Sequence, residues 1–140
     1  MARRDTTAYF AAIPLFGGCT KKELELLSRN AERATYQPGD VIIKEGSVGY
    51  EFFVIVDGKA EVKKGGRVVA ALGAGDYVGE LALLDRAPRN ATVVAATEVN
   101  VILLGYREFW GVLSEAPGLD KKLLVGMAKR LRQLEENKLG

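Results

Sequence analysis

The chain has a helical pattern of apolar residues near each end and a strand pattern between them. Near the start, three apolar residues share one face of a helix by their spacing: Leu24, Leu27 and Ala31. Thr20 and Glu23 stand three residues apart at the start of this pattern, which is the spacing of a capping box. These features predict a helix from about Lys21 to Asn30, within an N-terminal helical segment over residues 8–33.

Residues 34–104 have the pattern of short β-strands separated by turns, and nine of the sixteen glycines lie between Gly39 and Gly79. Asp57-Gly58 and Gly65-Gly66 are signals for tight hairpin turns, because both turn positions need positive φ angles. Six β-prone runs lie around these turns: 41–43, 52–56, 59–63, 68–70, 93–96 and 99–104. Many short strands with frequent turns predict a β-sandwich or barrel.

After Gly105 the pattern becomes helical again, over residues 106–139. A short helix is predicted for residues 106–113 and a longer one for about 119–138. Apolar residues of the longer helix step by three and four and form one stripe: Leu124, Met127, Leu131 and Leu134. This stripe has two interpretations. Either it packs on the strands of the same chain, or it joins two copies of the chain in a homodimer.

Length and composition are those of one soluble domain spanning residues 1–140, with 48% apolar and 27% charged residues. The net charge of +2, without a basic stripe, predicts no binding to nucleic acid. The single cysteine, Cys19, cannot form an internal disulfide, which fits a reducing compartment. No apolar run approaches the roughly 20 residues that span a bilayer. We therefore expect a cytoplasmic protein that does not bind membranes.

The chain contains no histidine, which removes a required residue from several classes of protein. Zinc proteases, Ser-His-Asp hydrolases, haem sensors with a histidine ligand and the histidine metal sites of cupins are all excluded. A metal site would then need a cluster of carboxylates, but the assignable inward strand positions are apolar. We predict that the protein is not an enzyme and uses no metal or other cofactor.

One segment of fifteen residues, 79–93, combines groups that suit an anionic ligand: GELALLDRAPRNATV. Arg89 is the candidate for neutralising the anion, because a guanidinium has a planar fork that matches two phosphate oxygens. Pro88 restrains the chain just before it. The carboxylate of Glu80 only accepts hydrogen bonds, so it suits a hydroxyl donor beside the anion. The pair predicts a ligand with one negative group and an adjacent sugar hydroxyl.

Backbone amides of the same segment are further candidates for binding the anion. Amide groups converge where a turn opens a short helix, and they form a ready site for a negative charge. We expect the amides of Gly79, Leu81 and Ala82 to point towards the anion, with small side chains leaving room for it. The amides of Asn90 and Ala91 would complete the site.

The joint pattern resembles the phosphate-binding cassette of cyclic-nucleotide-binding domains, the family of the catabolite activator protein and the regulatory subunits of protein kinases. The resemblance extends from about Ile13 to Glu135 and includes Ile13-Pro14-Leu15-Phe16, the run Gly75–Leu81 and the run Met127–Leu131. It implies an antiparallel jelly-roll β-barrel (double-stranded β-helix) over residues 34–104. The N-terminal helical segment and a C-terminal lid helix would flank this barrel.

The resemblance also implies roles for individual residues of a cyclic-nucleotide sensor. Glu80 would bind the ribose 2′-hydroxyl and Arg89 the cyclic phosphate. The purine would be contacted from the barrel and from the C-terminal helix at four matching positions: Val62, Val69, Leu134 and Glu135. Ligand binding would then reposition the C-terminal helix and signal to a downstream protein effector.

Asn90 departs from the family's pattern, since kinase-type cyclic AMP sites usually have alanine there and cyclic GMP sites often have threonine. An asparagine side chain both donates and accepts hydrogen bonds, so it can contact either purine. Cyclic AMP is the expected ligand and cyclic GMP the alternative. Nothing after Leu139 encodes the helix-turn-helix of the transcription factors, so we expect a sensor without its own output domain. The competing hypothesis is a domain that keeps the fold but serves as a structural or dimerisation module.

Overall fold

The structure, a computed structural model, describes residues 6–139, so residues 1–5 and 140 of the predicted domain lie outside the described residues. The described chain divides into two compact units. One is a β unit over residues 31–109, and the other is a helical unit of the residues up to Asn30 and from Trp110 onward. Within residues 6–139, no helix combines the length and the apolar character that crossing a membrane requires.

The helices of the described chain closely follow the predicted ones. They are α1 Thr7–Ala11, α2 Lys21–Arg29, α3 Ala82–Asp85, α4 Tyr106–Glu115 and α5 Leu119–Leu139, with a 3-10 turn at Pro14–Phe16 between the first two. The predictions of α2, α4 and α5 are confirmed to within two residues at each end, which is the usual uncertainty of a helix boundary.

The strands form two antiparallel four-stranded sheets, with the orders β1-β8-β3-β6 and β2-β7-β4-β5. Their bounds are β1 Glu32–Tyr36, β2 Val41–Ile43, β3 Glu51–Asp57, β4 Ala60–Lys64, β5 Arg67–Leu72, β6 Tyr77–Val78, β7 Thr92–Ala95 and β8 Val99–Gly105. All six predicted runs are strands. The barrel is not closed, however, because no strand of one sheet pairs with a strand of the other among the described residues.

The boundary predicted at about residue 33 lies close to the start of β1 at Glu32, and Ala34 and Tyr36 of that strand pack against the core. One local expectation is wrong. Asp57-Gly58 does not form a hairpin, since β3 pairs with β6 and β8 while β4 pairs with β5 and β7. The turn instead leads the chain from one sheet to the other. The Gly65-Gly66 hairpin is confirmed, with both glycines at positive φ between β4 and β5.

The core of the β unit lies between its two sheets. Side chains at alternating positions meet there, four from each sheet: Phe53, Ile55, Val99 and Val101 from one, and Ile43, Ala60, Val93 and Ala95 from the other. Val62 and Val78 are partly buried and pack at the margin of this cluster. These two residues connect the core to the candidate site described below.

The capping box at the start of α2 is confirmed. The hydroxyl oxygen of Thr20 accepts a hydrogen bond from the amide of Glu23 at 3.2 Å, and the Glu23 carboxylate accepts from the amide of Thr20 at 2.8 Å. The carboxylate also accepts from Nζ of Lys122 on α5, at 2.9 Å. Burial raises the pKa of Glu23, but these hydrogen bonds and the lysine charge outweigh burial and hold its pKa below the usual value.

Cys19 precedes this capping box and is half-buried as a free thiol. Its surroundings disfavour the thiolate. Burial and the negative charge of Glu23 raise the pKa of Cys19 to about 11, although the positive charge of Lys122 acts in the opposite direction.

The buried face of α5 differs from the predicted stripe. Leu119, Leu123 and Gly126 are buried, whereas three residues of the stripe are more than half exposed: Leu124 at 71%, Leu131 at 57% and Leu134 at 55%. The apolar residues of this helix are spread over most of its circumference, so its sequence pattern indicates only weakly which face is buried. Met127, the fourth residue of the stripe, is half-buried. Packing of the stripe on the barrel and a homodimer both stay predictions.

Gly126→Ala is expected to destabilise the protein by about 1–3 kcal/mol, although alanine is the better helix former. A Cβ at this position would stand 2.8 Å from the carbonyl oxygen of Leu15 and 3.3 Å from that of Pro14. The matched control is Gly111→Ala in α4, whose Cβ meets nothing within 4 Å and should add about 0.5–1 kcal/mol. Urea unfolding measures the free energy of unfolding of both variants. A gain in stability in both would contradict the close packing of α5 on the 3-10 turn.

Candidate functional site

A pocket of about 430 Å³ lies in the β unit, beside β6, α3 and the start of β7. This volume falls within the roughly 300–1,000 Å³ of typical small-molecule sites. Eight of the residues predicted for the ligand line it: Val62, Gly79, Glu80, Leu81, Ala82, Arg89, Asn90 and Ala91. The structure thus brings the candidate carboxylate and the candidate guanidinium to one hollow.

Glu80 is the only charged residue that is buried among residues 6–136, at 7% exposure. Burying a carboxylate is costly unless it is paired or hydrogen-bonded. Glu80 follows Gly79, whose backbone is left-handed, and it lies two residues before the first residue of α3. These two features fix its position at the N-terminal end of that short helix. An ionised carboxylate there offers acceptors to a hydroxyl donor in the pocket.

Arg89 is held by backbone atoms of residues 46–51. Its Nη2 donates to the carbonyl oxygen of Glu51 at 2.6 Å. Its own amide donates to the carbonyl oxygen of Ser47 at 2.7 Å, and its carbonyl oxygen accepts from the amide of Gly46 at 2.8 Å. Burial lowers the pKa of Arg89, while the charge of Glu51 raises it. The guanidinium nevertheless stays cationic at neutral pH, because its ordinary pKa is so high.

Two glycines give the guanidinium its space. Gly79 has a φ of 83°, and a Cβ on it would stand 2.5 Å from Nη1 of Arg89 and 3.1 Å from the carbonyl oxygen of Glu51. A Cβ on Gly49 would stand 3.2 Å from Cζ of Arg89 and 2.9 Å from the Cβ of Ala82. Glycine at these positions therefore lets Arg89 lie directly against the backbone.

The amino-acid sequence identifies the family to which the chain belongs. The family model of the cyclic nucleotide-binding domain matches residues 33–116, which include β1 except its first residue, β2 to β8, the pocket and α4. The chain belongs to this family. The resemblance noted in the sequence is thereby confirmed.

Relatives of this cyclic nucleotide-binding domain include a cAMP-dependent protein kinase regulatory subunit of Hypocrea atroviridis, 38% identical over 117 residues. That match covers 84% of this chain but only 25% of the relative, so the chain spans about a quarter of the length of the curated relatives it matches. Among solved structures, the N-terminal domain of a transcriptional regulator from Streptomyces coelicolor is similar, with a TM-score of 0.83 and 30% identity. The match covers 91% of this chain and 95% of that one.

The catabolite activator protein of Thermus thermophilus is a further structural relative of the domain, with a TM-score of 0.70 and 30% identity. The match covers 91% of this chain and 63% of that protein. The fold of two antiparallel sheets with flanking helices is therefore that of the family.

Among the described residues that line the pocket of this domain, three predicted purine contacts are missing: Val69, Leu134 and Glu135. Val69 is the extra residue of a β-bulge, because Val62 pairs with Ala70 while Lys63 pairs with Val68. Its side chain is 58% exposed. Leu134 and Glu135 lie on α5, where both are exposed to solvent.

One of the predicted amide donors of the cassette already has a partner. The amide of Ala82 donates to the carbonyl oxygen of Gly79 at 3.0 Å, which closes the turn that opens α3. An anion would have to share this amide with that carbonyl. The other predicted donors, the amides of Gly79, Leu81, Asn90 and Ala91, belong to residues that line the pocket.

Sequence reasoning missed the segment 46–51, which holds the cassette in place. Besides the bonds to Arg89, the amide of Gly49 donates to the carbonyl oxygen of Ala87 at 3.2 Å. These contacts use backbone atoms, which leave no signature in residue types, and only Gly49 gave a signal that could have been noticed. The apolar lining by Ile43, Tyr77, Val78 and Val93 was not assigned to the site either.

Within the described part of the chain, no cluster of three or more acidic or cysteine side chains could hold a metal ion.

Proposed function

We propose that this domain is a regulatory sensor that binds a cyclic nucleotide, with cyclic AMP as the expected ligand and cyclic GMP as the alternative. The observation that carries the proposal is that Glu80 and the anchored Arg89 line one pocket, which is large enough for a nucleotide. The names of the kinase regulatory relatives support cyclic AMP.

The two charged residues divide the recognition between them. Arg89 neutralises the single negative charge of the cyclic phosphate, and the amides of the cassette add hydrogen bonds. Because Glu51 already holds Nη2, the guanidinium is oriented before the ligand arrives, which reduces the entropy lost on binding. Glu80 accepts a hydrogen bond from the ribose 2′-hydroxyl, so a nucleotide that lacks this hydroxyl would lose that hydrogen bond and bind more weakly.

The purine lies against the apolar wall that Val62 and Ile43 provide, with Asn90 near its polar edge. Leu134 and Glu135 contact it when α5 changes position on ligand binding, and Val69 does so only if the bulge of β5 rearranges. A ligand shifts such an equilibrium only through its preference for one state. The effect passes to a protein effector in the cytoplasm, and no catalysis, nucleic acid or membrane takes part.

A second candidate function is a structural module that dimerises without responding to a ligand. The exposed side chains of Leu124, Leu131 and Leu134 on α5 favour it, since a stripe of this kind can join two copies of a chain. The buried carboxylate of Glu80 argues for the sensor instead.

Calorimetry with cyclic AMP, cyclic GMP and adenosine 5′-monophosphate tests the sensor. We expect a dissociation constant in the micromolar range or below for a cyclic nucleotide, and weaker binding of the doubly charged open monophosphate. Absence of binding at millimolar cyclic nucleotide would rule the sensor out. Sedimentation with and without ligand then tests the structural module, which predicts a dimer that the ligand does not change.

A further inference from the structure

Arg86 has an unusual backbone for an arginine. It ends α3 with φ 54° and ψ 33°, and it is the only non-glycine residue at positive φ in the described chain. This left-handed conformation is disfavoured for residues that carry a Cβ and is usually occupied by glycine or asparagine. A backbone outlier of this kind persists where surrounding contacts hold it, which directs attention to what the side chain does.

The guanidinium of Arg86 contacts the rings of two tyrosines. Its Cζ is 5.0 Å from the ring centroid of Tyr50 and 5.2 Å from that of Tyr106, which is within the range of a cation–π contact. The two tyrosines are also joined through the backbone, because the amide of Tyr106 donates to the carbonyl oxygen of Tyr50 at 2.7 Å. The three residues therefore form one cluster, with Tyr106 as the first residue of α4.

This cluster is next to the anchor of Arg89 without being part of the pocket lining. Tyr50 directly precedes Glu51, whose carbonyl oxygen holds the guanidinium of Arg89. Arg86 directly precedes Ala87, whose carbonyl oxygen accepts from the amide of Gly49. Tyr50 and Arg86 are therefore the sequence neighbours of two residues, Glu51 and Ala87, whose carbonyl oxygens join the cassette to the segment 46–51.

We propose that Arg86 is a positioning residue for the anionic ligand. Its cation–π contacts with Tyr50 and Tyr106 hold residues 86–89 against the Tyr50–Glu51 backbone and so fix the guanidinium of Arg89. The identity of the ligand in this inference rests on the proposed function. The positioning of Arg89 by Arg86 does not depend on it.

Arg86→Gly separates this role from a merely structural one, because the two predict opposite results. Glycine relieves the left-handed backbone, so thermal stability should stay equal or rise. If the side chain positions Arg89, the same variant should bind cyclic AMP about tenfold more weakly, which is the scale of a lost cation–π cluster. Equal or tighter binding in Arg86→Gly would overturn the proposal.

Matched variants at neighbouring positions identify the interaction. Tyr106→Leu should weaken binding to a similar extent, whereas Tyr106→Phe keeps an aromatic ring and should bind nearly as the parent does. Combining Arg86→Gly with Tyr106→Leu should add little to either change, since both break one cluster. Arg107→Ala removes the same charge from an exposed neighbour and should leave the dissociation constant unchanged. A loss in Arg107→Ala as large as in Arg86→Gly would assign the effect to net charge and overturn the proposal.

Hydrogen exchange of the Arg89 amide provides a readout without ligand. This amide is bonded to Ser47, and its exchange should be several-fold faster in Arg86→Gly and unchanged in Arg107→Ala. If the parent protein fails to bind cyclic nucleotides but this acceleration is seen, the proposed function fails and the positioning role stands. If exchange is unchanged in Arg86→Gly, the positioning role is wrong whatever the ligand.

Discussion

Arg89→Lys should weaken cyclic AMP binding by about 100-fold or more, although the positive charge is kept. A lysine ammonium cannot make two parallel hydrogen bonds to a phosphate, and it cannot at the same time donate to Glu51 as the fork of Arg89 does. Each hydrogen bond to a charged group contributes about 1.5–3 kcal/mol, so the loss of one or two accounts for this factor. Calorimetric titration of both proteins measures it.

Two controls make the Arg89 result specific. Arg33→Lys changes an exposed arginine of β1 in the same chemical way and should leave binding unchanged. Adenosine lacks the phosphate, so any weak binding of adenosine should be equal in the parent and in Arg89→Lys. A lysine variant that binds cyclic AMP within threefold of the parent would remove Arg89 from the phosphate site.

Gly79→Ala should both destabilise the domain and abolish measurable cyclic AMP binding. The left-handed backbone at this position costs a residue with a Cβ about 1–2 kcal/mol. The added Cβ also stands 2.5 Å from Nη1 of Arg89 and 3.1 Å from the carbonyl oxygen of Glu51, so the guanidinium must leave its place. We expect a total loss of about 2–4 kcal/mol in unfolding free energy.

Gly75→Ala is the matched control for Gly79→Ala. Gly75 has nearly the same backbone, with φ 90°, but a Cβ there meets nothing within 4 Å. It should show the backbone cost alone and retain binding. Urea unfolding and calorimetry on the pair isolate the contact with Arg89, and equal losses in both variants would show that this contact is unimportant.

The features that the sequence predicted well are local. The capping box of Thr20 and Glu23 and the hairpin at Gly65-Gly66 depend on residues a few positions apart, so their geometry is encoded where it occurs. Residues 79–93 were recognisable as one site for the same reason, because Glu80 and Arg89 lie on the two sides of a single short helix and loop.

What the sequence did not predict depends on distant parts of the chain. Asp57-Gly58 reads as a hairpin turn, yet the pairing of β3 and β4 with other strands makes it a crossing between sheets. The bulge at Val69 arises from a register shift against β4, which alternation alone cannot show. The anchor of Arg89 is a carbonyl oxygen, which every residue possesses, so no residue type could have pointed to Glu51.

The raised pKa of Cys19 has a practical consequence for testing whether α5 moves on ligand binding, as proposed. With a pKa of about 11, only about one thiol in ten thousand is ionised at pH 7, and thiol reagents attack the ionised form. A second cysteine introduced on the exposed side of α5 would react far sooner with a maleimide dye. One fluorophore can therefore be attached at a chosen place while the native residue is kept.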